Sequence, residues 1–258
     1  VPSPDEILDV LNEFRRSGAF PVKSELLDTL SKRCSKGKLT YEDARDAIRA
    51  VMLDGGAVEQ AMDVVKGLFQ PGDTIEFCAI SPQGVVVALQ GDPYDVKLAA
   101  KMAEFVRNQL GYANLYVGIC PRQPHMLGQR RRANNADVLC RRHVVLDLDD
   151  KDAPDVDAGW LRTVEALRQL GPALSVRSGN GWQIWFNIEA QASEDLHHSA
   201  PALCEALAVI GADSTGDLSR LMRLPYTLNV PNDSKRRKGR VVRFASPVDA
   251  MAVQEAAA

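Results

Sequence analysis

The sequence predicts a mixed α/β fold led by a block of helices, and three observations carry that prediction. Apolar residues recur at helical spacing from residue 4 to about 68. The turn-forming run Gln70-Pro71-Gly72-Asp73 then ends the pattern. Beyond it, short strand-like runs alternate with helical ones, which defines an α+β class. A chain of 258 residues can bury a sizeable core and form one large domain or two small ones. The expected division is a helical subdomain over 1–70, the main α+β domain over 71–246 and an Ala-rich tail over 247–258.

In the helical block, Ile7, Leu8, Leu11 and Phe14 share one face, as do Leu26, Leu27 and Leu30. Ala44, Ala47, Ile48, Val51 and Met52 continue the pattern after Thr40, a capping residue with Asp43 three positions on. Gly55-Gly56 separates that helix from the one around Val58, Met62, Val65 and Leu68. Past the Pro-Gly turn, residues 74–79 and 85–89 read as strands joined by Ser81-Pro82-Gln83-Gly84. A helix over 94–110 ends at Gly111, and a strand follows over 114–119. Residues 120–135 form a long loop rich in Pro, Gly and Arg. A strand over 143–149, a helix over 158–170 and a hairpin over 173–188 come next, the hairpin turning at Gly179-Asn180-Gly181. A helix over 194–210, a short helical turn near 218–222 and a last strand over 241–244 complete the reading.

Composition excludes several classes. No apolar run approaches the ~20 residues that span a bilayer. The first residues, Val-Pro-Ser-Pro-Asp-Glu, have neither a basic nor an apolar segment of the kind that directs secretion. Five scattered cysteines without a Cys-x-x-Cys pair argue against a disulfide framework or a zinc ribbon. A cytoplasmic protein with reduced thiols is expected. The net charge of −3 does not mark a nucleic-acid binder, but its distribution is uneven. Arg122, Arg130, Arg131, Arg132, Arg141 and Arg142 crowd one stretch, opposed there only by Asp137. Lys235, Arg236, Arg237, Lys238 and Arg240 form a second run. Such stripes attract phosphates whatever the global sign; the plainer alternative is a solvated loop.

Three segments could carry chemistry. In Val144-Val145-Leu146-Asp147-Leu148-Asp149-Asp150, strand alternation puts Asp147 and Asp149 on one face. Two such carboxylates repel unless a cation lies between them, and Mg²⁺ or Mn²⁺ prefers oxygen ligands. An acidic turn after a strand is the simpler alternative. In Ser178-Gly179-Asn180-Gly181-Trp182-Gln183, the glycines allow backbone N–H groups to approach an anion, and Ser178 adds a hydroxyl. An ordinary hairpin turn would read the same way. In the segment 211–232, Asp213 and Asp217 are further possible ligands. Arg220 and Arg223, three apart on the expected helical turn, offer forked donors to phosphate. A surface Asp–Arg network is the alternative there.

Taken in order, the three segments resemble the motifs of the archaeo-eukaryotic primase superfamily, in particular its primase-polymerase branch from plasmids, phages and mobile elements. Asp147-Leu148-Asp149 matches the first motif, Ser178-Gly179-Asn180-Gly181 the second, and Asp213 with Arg220, Arg223, Pro225 and Asn229 the third. Asn114-Leu115-Tyr116-Val117-Gly118 into Pro121-Arg122 resembles the strand before the first motif. The resemblance covers about residues 72–245 and leaves the helical block outside. Gln183 stands where the family has a His, and Tyr226 where many relatives have Gly.

The resemblance implies a catalytic core with a sheet like that of the RNA-recognition fold and an adjoining α/β unit. It implies template-directed nucleotidyl transfer in replication initiation, with dNTPs or NTPs as substrates and single-stranded DNA as template. Asp147, Asp149 and Asp213 would hold two divalent ions, Mg²⁺ or Mn²⁺, with Asp217 competing with Asp213 for the third position. Ser178, Gly179, Asn180, Gly181, Gln183, Arg220, Arg223 and Asn229 would bind the nucleotide. Arg122, Arg130, Arg131, Arg132, Lys235, Arg236 and Arg237 would track nucleic acid. No Walker-type loop is present, so a helicase partner would lie in another portion of a longer chain or in a separate one. A degenerate module that binds single-stranded or origin DNA without making a bond is the main rival, favoured by Gln183. A metal-dependent nuclease is a second.

Overall fold

The computed structural model describes residues 3–149, 165–179, 181–192, 195, 205, 212–213 and 216–247, and the backbone but not the side chain of Asp149. Four helices open the chain: α1 (Pro4–Ser17), α2 (Ser24–Ser35), α3 (Tyr41–Asp54) and α4 (Ala57–Leu68). Local chemistry sets their ends. Ser3 caps α1 by accepting from the Glu6 N–H, with Pro4 in the first turn. Thr40 and Asp43 form a reciprocal capping box on α3, as their spacing predicts. Each helix buries one stripe, for example Ile7, Val10, Leu11 and Phe14 on α1.

The rest of the chain builds two antiparallel sheets. The first has the order β2-β1-β3-β7, from β1 (Ile75–Ile80), β2 (Val86–Gly91), β3 (Asn114–Gly118) and β7 (Leu221–Arg223). The helix α5 (Val96–Gln109) lies between β2 and β3, capped by Asp95. The second sheet has the order β4-β6-β5-β9-β8. It contains β4 (Cys140–Asp149), β5 (Leu174–Arg177), β6 (Gly181–Ala192), β8 (Thr227–Asn229) and β9 (Arg243–Pro247). A short helix, α6 (Asp233–Arg237), joins the last two strands. Of the expected helices over 158–170 and 194–210, residues 165–168, 195 and 205 are described and helical, residues 169–170 form a turn, and the other positions lie outside the described residues.

The first four helices share their core with the sheets. Phe14 and Phe20 meet Phe244 of β9 edge to face, at centroid distances of 4.9 and 5.3 Å. The Tyr94 hydroxyl donates to the carbonyls of Lys66 and Phe69, tying α4 to the start of α5. One continuous set of buried apolar residues runs from Ile7 to Phe244. The helical segment is therefore built into the core and is not hung beside it.

Two local expectations change. The segment near 218–222 is a turn entering strand β7, because Tyr116, Val117 and Gly118 of β3 pair with Arg223, Met222 and Leu221. Sheet pairing overrides the three-residue spacing that suggested a helical turn. Tyr226 has φ 60°, a left-handed conformation that glycine adopts more readily. Its N–H donates to the Ala245 carbonyl at 2.7 Å and its ring packs near Phe244, so contacts hold the residue where a Gly would sit without strain.

Candidate active site

The site begins at the end of β4. Asp147 pairs with Gln183 of β6 on one side. On the other it forms an isolated antiparallel bridge with Asp213, whose N–H donates to the Asp147 carbonyl at 2.8 Å. Directly opposed residues of an antiparallel pair project to the same face. Asp147 and Asp213 are thus neighbours on one face although far apart in sequence. Arg220 reaches to 3.9 Å from the Asp147 carboxylate, with the Asp147 side chain only 16% exposed. Asp217 does something else: its carboxylate accepts from the N–H and hydroxyl of Ser219 and shapes the turn before β7. Among the described residues no group of three His, Cys, Asp or Glu side chains is gathered to hold a metal ion. The described donors are the two carboxylates of Asp147 and Asp213, hard oxygen ligands that fit Mg²⁺ or Mn²⁺ by type.

Beside the carboxylates lies a buried polar network centred on Arg223. Its backbone N–H donates to the Gln183 Oε1 at 3.0 Å. Its guanidinium donates to Asn114 at 2.9 Å, to the Tyr116 hydroxyl at 3.2 Å and to Asn229 at 2.9 Å, and lies 4.4 Å from the Tyr116 ring centroid. Burial lowers its pKa, an effect opposed by Tyr116 and by the nearby Asp147 charge. Asn229 in turn donates to the Ser178 carbonyl at 2.9 Å. Arg223 is therefore the point where β3, β6, β7 and β8 are joined. Asn114 and Tyr116 belong to this network; in the sequence they fall on the strand before the first motif, with no role in the site assigned to them.

The Ser178–Gly181 turn is closed from within. The Ser178 N–H and hydroxyl both donate to the Gly181 carbonyl. Gly179 has φ 93°, and a methyl group there would lie 2.5 Å from the Arg243 Cβ and 3.3 Å from the Asn229 Cβ. Only glycine meets both conditions. Asn180 lies outside the described residues.

The basic loop after β3 is largely paired. Arg122 has no exposed surface. Its guanidinium donates to the Glu76 carboxylate at 3.1 and 2.7 Å and to the Leu218 and Ser219 carbonyls. This corrects its assignment to nucleic-acid contact, because a fully buried guanidinium cannot reach a template phosphate. Glu76, itself fully buried on β1, also takes Arg132 at 2.8 Å. Arg131 makes a two-pronged pair with Asp137 at 2.7 and 2.8 Å. That pairing, with the Asn134 N–H and His125, pulls the Asp137 carboxyl well below the usual carboxylate range. Arg130 remains exposed. Together Arg122, Arg132, Asn135 and Arg141 grip the backbone of residues 216–219, the segment that leads into Arg220.

The second run differs. Arg236 pairs with Glu6 of α1 at 3.1 Å, whereas Lys235, Arg237 and Lys238 are exposed on and just after α6. The described thiols are free, and burial pushes Cys78 and Cys120 up to about 11, outside the range of reactive cysteines. No described helix is long and apolar enough to cross a membrane.

No family model and no curated protein matches the chain. Among solved structures it is similar to the AEP domain of the cyanophage S-2L primase-polymerase, with 17% identity and a TM-score of 0.47 over 74% of this chain and 89% of that one. It is also similar to the primase RepB′, with 17% identity and a TM-score of 0.43 over 74% of this chain and 56% of that one. The catalytic domain of RepB′ in complex with initiator DNA matches with 17% identity and a TM-score of 0.43 over 75% of this chain and 85% of that one.

Proposed function

We propose that this chain is a primase or primase-polymerase domain that transfers nucleotides from dNTPs or NTPs along a single-stranded DNA template. The observation that carries the reading is the adjacency of Asp147 and Asp213 across the bridge from β4, with Arg220 reaching toward the Asp147 carboxylate. A carboxylate pair flanked by an arginine suits a phosphoryl centre, where opposite charges must be held in fixed geometry. The ordered sequence motifs point the same way, and they add Asp149 as the third acidic residue. Divalent cations held there would make the attacking hydroxyl more acidic and offset charge at the α-phosphate. Arg220 would neutralise charge on the phosphates, and Asp147 would hold it in place. Arg223, Asn229 and Gln183 would fix the distance between the carboxylates and the Ser178–Gly181 turn, which would receive the outer phosphates. Lys235 and Arg237 would meet the template.

Gln183 supports one other reading. Its Oε1 is occupied by the Arg223 N–H, and an amide cannot bring a positive charge to a triphosphate. A module that binds single-stranded DNA without transferring nucleotides would tolerate that exchange. Incubation with single-stranded template, Mg²⁺ or Mn²⁺ and labelled nucleotides, with and without primer, separates the two. Metal-dependent products that vanish in the Asp147→Ala/Asp149→Ala double variant support transfer, and products without primer identify a primase. Template binding with no product under any condition would leave the binding module.

A further inference from the structure

The arginine best placed to meet the outer phosphates at the Ser178–Gly181 turn lies outside all three sequence motifs. Arg243 opens β9 and pairs directly with Asn229 of β8. Opposed residues on an antiparallel pair share a face, so Arg243 rises from the face on which Asn229 reaches Ser178 and Arg223. The approach is close: a methyl group on Gly179 would meet the Arg243 Cβ at 2.5 Å and its Cγ at 3.4 Å. The absent Gly179 side chain thus lets the arginine stem pass against the turn. Arg243 is exposed, and no carboxylate pairs with it among the described residues. The contrast with Arg223 is sharp, since Arg223 spends its guanidinium donors on Asn114, Tyr116 and Asn229 under the surface. Ser178 likewise uses its hydroxyl inside the turn. With both Ser178 donors turned inward, a polyphosphate at this turn would draw its positive charge from a neighbouring strand.

We propose that Arg243 supplies that cation: it binds the terminal phosphates of the incoming nucleotide over Gly179, while Arg223 serves as the scaffold beneath. This role rests on the nucleotide-transfer reading of the site and divides the arginines by task. Arg220 works beside Asp147 at the reacting end, and Arg243 beside Gly179 at the far end of the polyphosphate.

Calorimetric titration with inorganic tripolyphosphate in Mg²⁺ tests the binding without requiring turnover. Wild-type protein is expected to bind it, Arg243→Ala to lose about tenfold or more in affinity, as removal of a charge-assisted contact predicts, and Arg243→Lys to recover part of the loss. Lys32→Ala, which removes an exposed cation from α2, serves as the control and should bind as wild type does. In a nucleotide-incorporation assay Arg243→Ala should raise KM for the nucleotide and leave kcat and template affinity near wild type. Equal tripolyphosphate affinity in wild type and Arg243→Ala would overturn the proposal, as would an equal loss in Lys32→Ala. Tripolyphosphate binding that depends on Arg243, in a protein that makes no product, would keep the anion site and remove the transferase reading instead.

Discussion

The two basic runs look alike in sequence and meet opposite fates in the fold. Between Arg122 and Arg142 most of the cations are claimed by carboxylates, Arg122 and Arg132 by Glu76, Arg131 by Asp137 and Arg142 by Asp73, while Arg130 stays exposed. On and just after α6, Arg236 pairs with Glu6, while Lys235, Arg237 and Lys238 face solvent. The difference lies in the supply of buried carboxylates. Glu76 and Asp73 sit on or just before β1, far from the loop in sequence, and each buried anion recruits a cation because an unpaired one is costly. A cluster of arginines therefore indicates a nucleic-acid surface only where no carboxylate has claimed it.

The largest effect expected from this contrast is on stability. Arg122→Met leaves Glu76 buried without its main partner and should cost about 3–5 kcal/mol in urea unfolding. Adding Glu76→Gln should recover part of that loss, since the stranded charge is gone. A variant as stable as the wild type would break the comparison at its stronger end. Lys235→Ala with Arg237→Ala should leave the unfolding midpoint in place and act on template binding instead. Each lost phosphate contact should reduce the slope of log affinity against log salt by about 0.7 for single-stranded DNA. An unchanged slope would remove α6 from the template surface.

A smaller effect is expected with pH. The Arg131 pair and the Asn134 N–H hold the Asp137 pKa below its ordinary value. A depressed carboxylate pKa stabilises the fold fully above the unfolded value of about 3.9. That contribution is lost as pH falls through the lower folded value. The stability gap between wild type and Asp137→Asn should thus narrow as pH falls below about 4. A gap that stays unchanged between about pH 5 and 2 would contradict the pairing.

Much of this was legible in the sequence, for physical reasons that differ by region. The helical stripes and the Thr40 cap are local signals, and they mark α1 to α4 well. The alternation in 144–149 marks β4, and Asn-Gly marks the turn before β6. The acidic and glycine motifs could be ordered along the chain, but their adjacency could not, because the Asp147–Asp213 bridge depends on chain folding over a long separation. The same blindness hid Glu76 from Arg122, Asn114 from Arg223 and Arg243 from Gly179. Arg220 and Arg223 looked equivalent at three-residue spacing; pairing of β7 with β3 sends one to the site surface and the other into the interior.

The pairing of Asp147 with Asp213 organises the site, and Mn²⁺ titration followed by electron paramagnetic resonance probes it without any need for turnover. Wild-type protein should remove free Mn²⁺ from solution, and Asp147→Asn or Asp213→Asn should each weaken that binding strongly. Asp217→Asn should bind as the wild type does, because its carboxylate serves the Ser219 turn. Binding that survives in Asp213→Asn, or is lost in Asp217→Asn, would contradict the assignment.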